Sequence, residues 1–263
     1  MDKAIKNVLI SLLNNKMINK LCNTCEIVVA HYNEDLKWLK PYEKKAIVYH
    51  KGGNDFPKIE CKEWIKLPNI WRESHTYLYY IVNNYNNLPE YILFFQWWIK
   101  DHAESWDVYE SVEEYLNEVE KYWFSCANPF FLVRKDPQIN FTWKFAEMLE
   151  SWSLKKSPYT FARFYKELLG KSQKYLTPCF WAANFAVSRD VVKERPLSFY
   201  KKALELLPEH PNPEEWHFYE RLRFSIFNAK YNLHTMRKLF SHYFDGLKKR
   251  FSRIIYWHKW VKK

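Results

Sequence analysis

Two short apolar runs constrain this chain more than anything else in it. EIVVA at 26–30 and AIVY at 46–49 are rich in β-branched residues, the composition of strands buried on both faces. Each run ends abruptly in polar residues, HYNED after the first and HKGG after the second, and Leu36, Trp38, Leu39 and Tyr42 between them suit a short helix. Strand, helix and strand in this order make a βαβ unit of a mostly parallel sheet. Ligands of such sheets bind outside the carboxyl ends of the strands. That rule places His31, Tyr32, Asn33, Glu34, His50 and Lys51 at the rim of the expected site.

The same periodicity carries on along the chain. RESHTYLYYIVNN at 72–84 reads as a helix that turns Tyr77, Leu78, Ile81 and Val82 toward a sheet, with Asn87-Leu88-Pro89 as its stop. YILFFQ at 91–96 reads as the third strand, exiting into Trp97, Trp98, Asp101, His102 and Glu104. A helix over 112–123 follows, then an irregular Pro-containing segment to about residue 140, then helices near 141–151 and 158–170. FWAANFAVSRD at 180–190 reads as a strand ending in a Ser188 cap, and VVKERP opens a helix running into SFYKKALELL. HPNPEE is a loop, and WHFYERLRFSIF is a helix aligned on Phe218, Leu222, Ile226 and Phe227. Residues 1–22 look helical. No repeat, low-complexity tract or linker divides the 263 residues, so the expectation is one α/β domain over 1–233 and a separate C-terminal helix over 234–263.

Composition excludes several functions. The chain has four glycines, Gly52, Gly53, Gly170 and Gly246, against a usual ~7%. No two of them have the spacing of a Walker loop or a dinucleotide fingerprint. No apolar run approaches the roughly 20 residues that span a bilayer, and the N-terminus lacks a signal-peptide cleavage site, so a cytosolic chain is expected. The five cysteines, Cys22, Cys25, Cys61, Cys126 and Cys179, are too few and too scattered for a disulfide scaffold. The Cys22/Cys25 pair precedes a strand and has no second pair, so structural thiols are expected rather than a redox or zinc centre.

The net charge of +11 is concentrated in the tail. Residues 234–263 hold nine Lys/Arg against Asp245, leaving the other 233 residues with 32 basic and 29 acidic side chains. Phe240, Tyr243, Phe244, Leu247, Phe251, Ile254 and Ile255 form one helical stripe there, flanked by the cations. Three readings stay open: a helix docked on the domain, a basic amphipathic helix on an anionic membrane with Trp257 and Trp260 at headgroup level, and a set of cations facing a diphosphate. No helix-turn-helix, zinc-finger or RNP-type motif is present, so nucleic acid is not an expected partner.

No G-x-S-x-G elbow supports a hydrolytic triad, and Ser74-His75 falls inside a helix pattern. Asp101-His102 with Glu104 and Asp107 could ligate a metal, contact substrate or serve structure. The chain has no D-x-D.

The order of EIVVAHYNEDLKWL, VYHKGG, LPNIWRESHTYLYYIVNNYNNLPEYILFFQ, FAVSRDVVKERPLSFY and FYERLRFSIF resembles an uncharacterised glycosyltransferase-like family over about residues 24–230. FAVSRDVV and the last element are also similar to those of core-2-type branching transferases and peptide xylosyltransferases. The resemblance implies a GT-A-like single domain with a mostly parallel central sheet flanked by helices, to which the sequence pattern adds the basic amphipathic C-terminal helix. It implies transfer of a sugar from a nucleotide-sugar donor to a glycan or lipid-linked glycan, inverting and without a D-x-D metal site. No cofactor is required; Mn²⁺ or Mg²⁺ is allowed but not favoured. Carried over, Glu220 takes the base position, with Glu214, Glu215 and Asp101 as alternatives. His31, Tyr32, Asn33, Glu34, His50, Lys51 and Arg72 would hold the nucleotide sugar. His102, Trp97 and Trp181 would contact acceptor or sugar, and Arg221, Lys249 and Arg250 the diphosphate. The chain departs from the family at Gln96-Trp97-Trp98, where a glycine usually follows the glutamine, and at Arg223, where a Trp is usual. A cytoplasmic protein peripheral to a membrane is expected, the alternative being a non-catalytic carbohydrate-binding or membrane-surface scaffold.

Overall fold

Alternation along the central strands divides the molecule into two cores. On β1 (Cys25–His31), β2 (Ala46–His50) and β4 (Tyr91–Gln96), every described core position belongs to one face or the other. Val28, Ala30, Ile47, Tyr49, Ile92 and Phe94 pack on one side, and Ile27, Val29, Ala46, Val48, Leu93 and Phe95 on the other. A strand apolar on both faces must be covered on both, which explains the runs that the sequence displays.

The structure is a computed structural model describing residues 24–53, 59–96, 111–126, 129–133, 147, 151, 153–180 and 183–228. The six-stranded sheet has the order β3-β2-β1-β4-β8-β5, where β3 is Glu63–Lys66, β5 is Phe124–Cys126 and β8 is Phe185–Ser188. The first four strands are mutually parallel, and β8 runs antiparallel between β4 and β5. A second, two-stranded antiparallel sheet joins β6 (Pro129–Val133) to β7 (Leu176–Phe180).

One face is covered by α1 (Arg72–Asn84), α5 (Leu197–Glu205) and α6 (Glu214–Ile226). The other is covered by α2 (Val112–Tyr122) and by a 3₁₀ helix over Lys37–Lys45. Local chemistry sets the ends. Ser111 caps α2 and Thr160 caps α3 (Phe161–Leu169), which ends at Gly170 in the left-handed region. Ser188 caps α4 (Arg189–Lys193), as the sequence predicts. Pro196 separates α4 from α5, so the single helix expected after residue 190 is two.

Three other expectations change. The strand over 91–96 is the fourth, not the third, because the four-residue β3 precedes it. The segment expected to be irregular contains β5 and β6. The strand expected over 180–190 is two, β7 and β8, in different sheets. The helices expected over 1–22, near 141–151 apart from residues 147 and 151, and over 234–263 lie outside the described residues.

Among the described residues, most of the aromatic side chains are core material. Phe94, Phe185, Phe124, Phe224, Phe227 and Tyr77 touch in one cluster, with Phe94 and Phe185 centroids 4.8 Å apart. Among the described residues no helix is long and apolar enough to cross a membrane. Phe94→Ala should cost about 3–5 kcal/mol of unfolding free energy in urea denaturation, whereas Tyr175→Ser at an exposed position should stay within about 0.5 kcal/mol.

Candidate functional site

Parallel pairing aligns the strand exits. His31 is in register with His50, and His50 with Lys66 at the end of β3. The exit loop of β1 folds on Glu34, whose carboxylate accepts the backbone N–H groups of Tyr32 (2.8 Å) and Asn33 (3.1 Å). Asn33 Oδ1 then accepts the Gly53 N–H at 3.1 Å, tying the first exit loop to the second. Gly52 is required by this closeness: a Cβ there would lie 1.9 Å from the Tyr32 carbonyl oxygen. Lys66 Nζ donates to the Gly52 carbonyl at 2.7 Å and also to that of Gly53.

Lys51 turns the other way. Its residue is 6% exposed, and its Nζ donates to the carbonyls of Ile70 (2.8 Å) and Arg72. These carbonyls flank the start of α1, where Trp71 and Arg72 both adopt positive φ, 55° and 45°. Two adjacent non-glycine residues in the left-handed region are a strained entry, of the kind found at functional sites. No side chain caps this helix. Burial pushes the Lys51 amine down to about 7, with the Glu73 carboxylate opposing.

Helix α6 closes the site from a third direction. Arg72 lies over the Trp216 ring at 4.8 Å, and Arg223, 3% exposed, reaches Glu73 at 3.5 Å and the Ala183 carbonyl at 2.9 Å. Trp216, Glu220 and Arg223 are four and three residues apart, so they share one helix face. Glu220 is half-buried on that face, within electrostatic range of Tyr77 and Arg221. Arg221 is buried, donates to the His217 carbonyl at 2.8 Å and senses Cys179 on β7. The His75 imidazole is lowered to about 3 by burial and then by Lys51, and His217 to about 3 by burial and then by Arg221 and Arg72. Cations are thus the second cause at both rings.

The structure therefore brings Lys51, Arg72 and the Glu220 face of α6 together around the start of α1, beside the His31–Glu34 and His50–Gly53 exits. Glu215 sits elsewhere. It is 1% exposed and lines a separate cleft of about 630 Å³ with Lys155, Ser157, Tyr159 and Leu207. Its neighbour Glu214 accepts the Ser157 N–H at 3.0 Å and is raised by burial. Tyr32 is exposed. Trp97, Asp101, His102, Trp181, Lys249 and Arg250 lie outside the described residues. Among those described, no group of three or more His, Cys, Asp or Glu is placed to hold a metal ion.

Glu73, His75, Trp216 and His217 are members that sequence patterns do not single out. Their signal is polarity in the wrong place: Glu73, Ser74, His75 and Thr76 open a helix and are all buried.

An α/β domain with a polar site at the carboxyl edge of its parallel strands is the class that fold and site define. Residues 27–227 match the model of DUF3431, described as a protein of unknown function, and the chain belongs to that family. No curated protein and no solved structure matches it.

Gly52→Ala should lower stability by about 1–3 kcal/mol, read by urea denaturation, because the added methyl meets backbone. For Lys51 the folded value near 7 lies below the ordinary 10.5, so between these pH values the unfolded chain binds the extra proton. Unfolding free energy should therefore rise with pH across that window, and Lys51→Met should flatten the rise. An equal slope in both proteins would show that the amine is normally charged.

Proposed function

We propose that this chain is a glycosyltransferase that moves a sugar from a nucleotide-sugar donor to a glycan or lipid-linked glycan. The observation that carries this reading is the convergence of Lys51 and Arg72 at the uncapped start of α1, opposite the face of α6 that bears Glu220. A helix start with two cations beside it suits a diphosphate. A carboxylate across from it suits a proton acceptor.

In this mechanism Glu220 takes the proton of an acceptor hydroxyl as its oxygen bonds to the anomeric carbon. The bond from that carbon to the diphosphate oxygen breaks, and the electron pair leaves on the nucleoside diphosphate. Arg72 and Lys51 stabilise the charge that develops there. Arg72, stacked on Trp216, is better placed for this than Arg221, which is buried against β7. An anion at the helix start favours the protonated Lys51, so donor binding takes up a proton near neutral pH. His31–Glu34 and His50–Gly53 border the nucleotide end. The basic stripe of 234–263 would hold the protein on the cytoplasmic face of an anionic membrane, near lipid-linked acceptors.

Thermal shift against UDP-, GDP-, CMP- and dTDP-sugars, each with and without Mn²⁺ and Mg²⁺, tests the reading. One nucleotide should stabilise the fold regardless of metal, by about 2.7 kcal/mol at a hundred times its Kd. Glu220→Gln should keep that shift and lose roughly 10²–10⁴-fold in turnover. No response to any donor would favour a carbohydrate-binding role instead, and retained turnover in the variant would remove Glu220 from the mechanism.

A further inference from the structure

The in-register histidines at the ends of β1 and β2 are used identically. His31 Nε2 lies 2.9 Å from the Glu34 carbonyl oxygen and His50 Nε2 lies 2.9 Å from the Gly53 carbonyl oxygen, three residues on in both cases. The two Nδ1 atoms face each other at 2.9 Å. The ring centroids are 5.0 Å apart with an interplanar angle of 28°. That separation is close to the nitrogen contact plus one ring radius of about 1.1 Å at each end, so the rings meet head-on through their nitrogens, at hydrogen-bond distance. Both residues are buried, His31 at 2% and His50 at 0% exposure.

Hydrogen counting then fixes the charge. A carbonyl oxygen only accepts, so each Nε2 carries a hydrogen. One further hydrogen satisfies the contact between the Nδ1 atoms, and two would clash. Three contacts need three hydrogens, whereas two neutral imidazoles have two. A tetrahedral zinc in place of the proton would hold the nitrogens roughly 3.4 Å apart at ordinary Zn–N lengths, a wider gap than is found.

We infer that His31 and His50 share one excess proton, and that this buried imidazole–imidazolium pair is a clamp holding the two strand-exit loops together. Among the described residues, two charged groups face it, one from the β1 exit loop and one from β3. The Glu34 carboxylate lies 3.9 Å from His31 Nε2, and Lys66 of β3 donates to the Gly53 carbonyl that His50 also uses. The Trp64 ring closes the third side, with its centroid 5.9 Å from that of His31 and 6.3 Å from that of His50. Burial lowers His31, the Glu34 carbonyl and carboxylate oppose this, and His50 lowers it further. A charge on one ring thus disfavours a second on the other. When the shared proton leaves, one of the three contacts must break, and the loops tied by Asn33 and Gly52 lose their clamp.

The inference is independent of sugar transfer, and so is its test. Long-range ¹H–¹⁵N spectra of ¹⁵N-histidine protein near neutral pH should show three protonated ring nitrogens from this pair and N–N coupling between the Nδ1 atoms. His50→Gln should abolish that coupling and leave His31 with a single protonated ring nitrogen. Two neutral rings throughout pH 5–8, two independent titrations, or a histidine spectrum that changes with EDTA would overturn the inference. If His50→Gln fails to fold, the wild-type spectra decide alone.

Discussion

The parallel register between β1 and β2 is the constraint on which the carboxyl edge depends. It puts His31 against His50 and brings the Tyr32 carbonyl so close to Gly52 that no side chain fits between. A slip of one residue would turn every side chain of β1 to the other face, moving Val28 and Ala30 into the core now filled by Ile27 and Val29. Because both faces are buried, such a slip is prohibitive. The cores thereby fix the geometry of a polar site that contributes little to their own stability.

From that edge the alternation of side chains explains the division of labour between neighbours. His50 and Lys51 are adjacent in sequence and point to opposite sides. His50 joins the loop clamp, while Lys51 passes under the start of α1 and binds the two carbonyls of its strained entry. The lysine holds a backbone conformation that non-glycine residues resist, and burial in turn strips it of most of its preference for charge. Arg223 performs the same task from α6, reaching Glu73 and the Ala183 carbonyl together. Strand exits, helix start and closing helix are joined by buried polar contacts and not by apolar packing alone.

Long-range placement was where the sequence was hardest to interpret. The runs EIVVA, AIVY and YILFFQ declare themselves because burial on both faces confines polar residues to their ends, Glu26 and Gln96. EWIK does not, since β3 is an edge strand of four residues with its end positions exposed. PFFLV and LTPCF each contain a proline, which removes a ladder donor and argues against a strand; among the described residues they pair with one another alone. At the site, the strand exits follow from topology, which needs only strand order. The Glu73–Arg223 pair spans 150 residues, and nothing local in either segment indicates the other. The head-on histidines lie between these cases, since each is visible as a strand exit but their contact depends on register.

The polar groups left without partners concentrate around the same helix start. Among the described residues, Trp71 Nε1, Ser74 Oγ, His75 Nδ1 and Trp216 Nε1 are buried and make no hydrogen bond. Each such group costs on the order of 1–3 kcal/mol relative to a satisfied one. A fold that needed only to be stable would replace Ser74 or His75 by an apolar residue, as it does at Leu78 and Ile81 one and two turns further along. Retaining them beside two positive-φ residues and a depressed lysine concentrates the unfavourable terms of the molecule in one place. Under the transferase reading, a donor that opened this helix start would supply what these groups lack, acceptor oxygens for the indole and hydroxyl hydrogens. Binding would then draw on a cost already present in the unliganded fold, which would favour the bound state without requiring an apolar pocket.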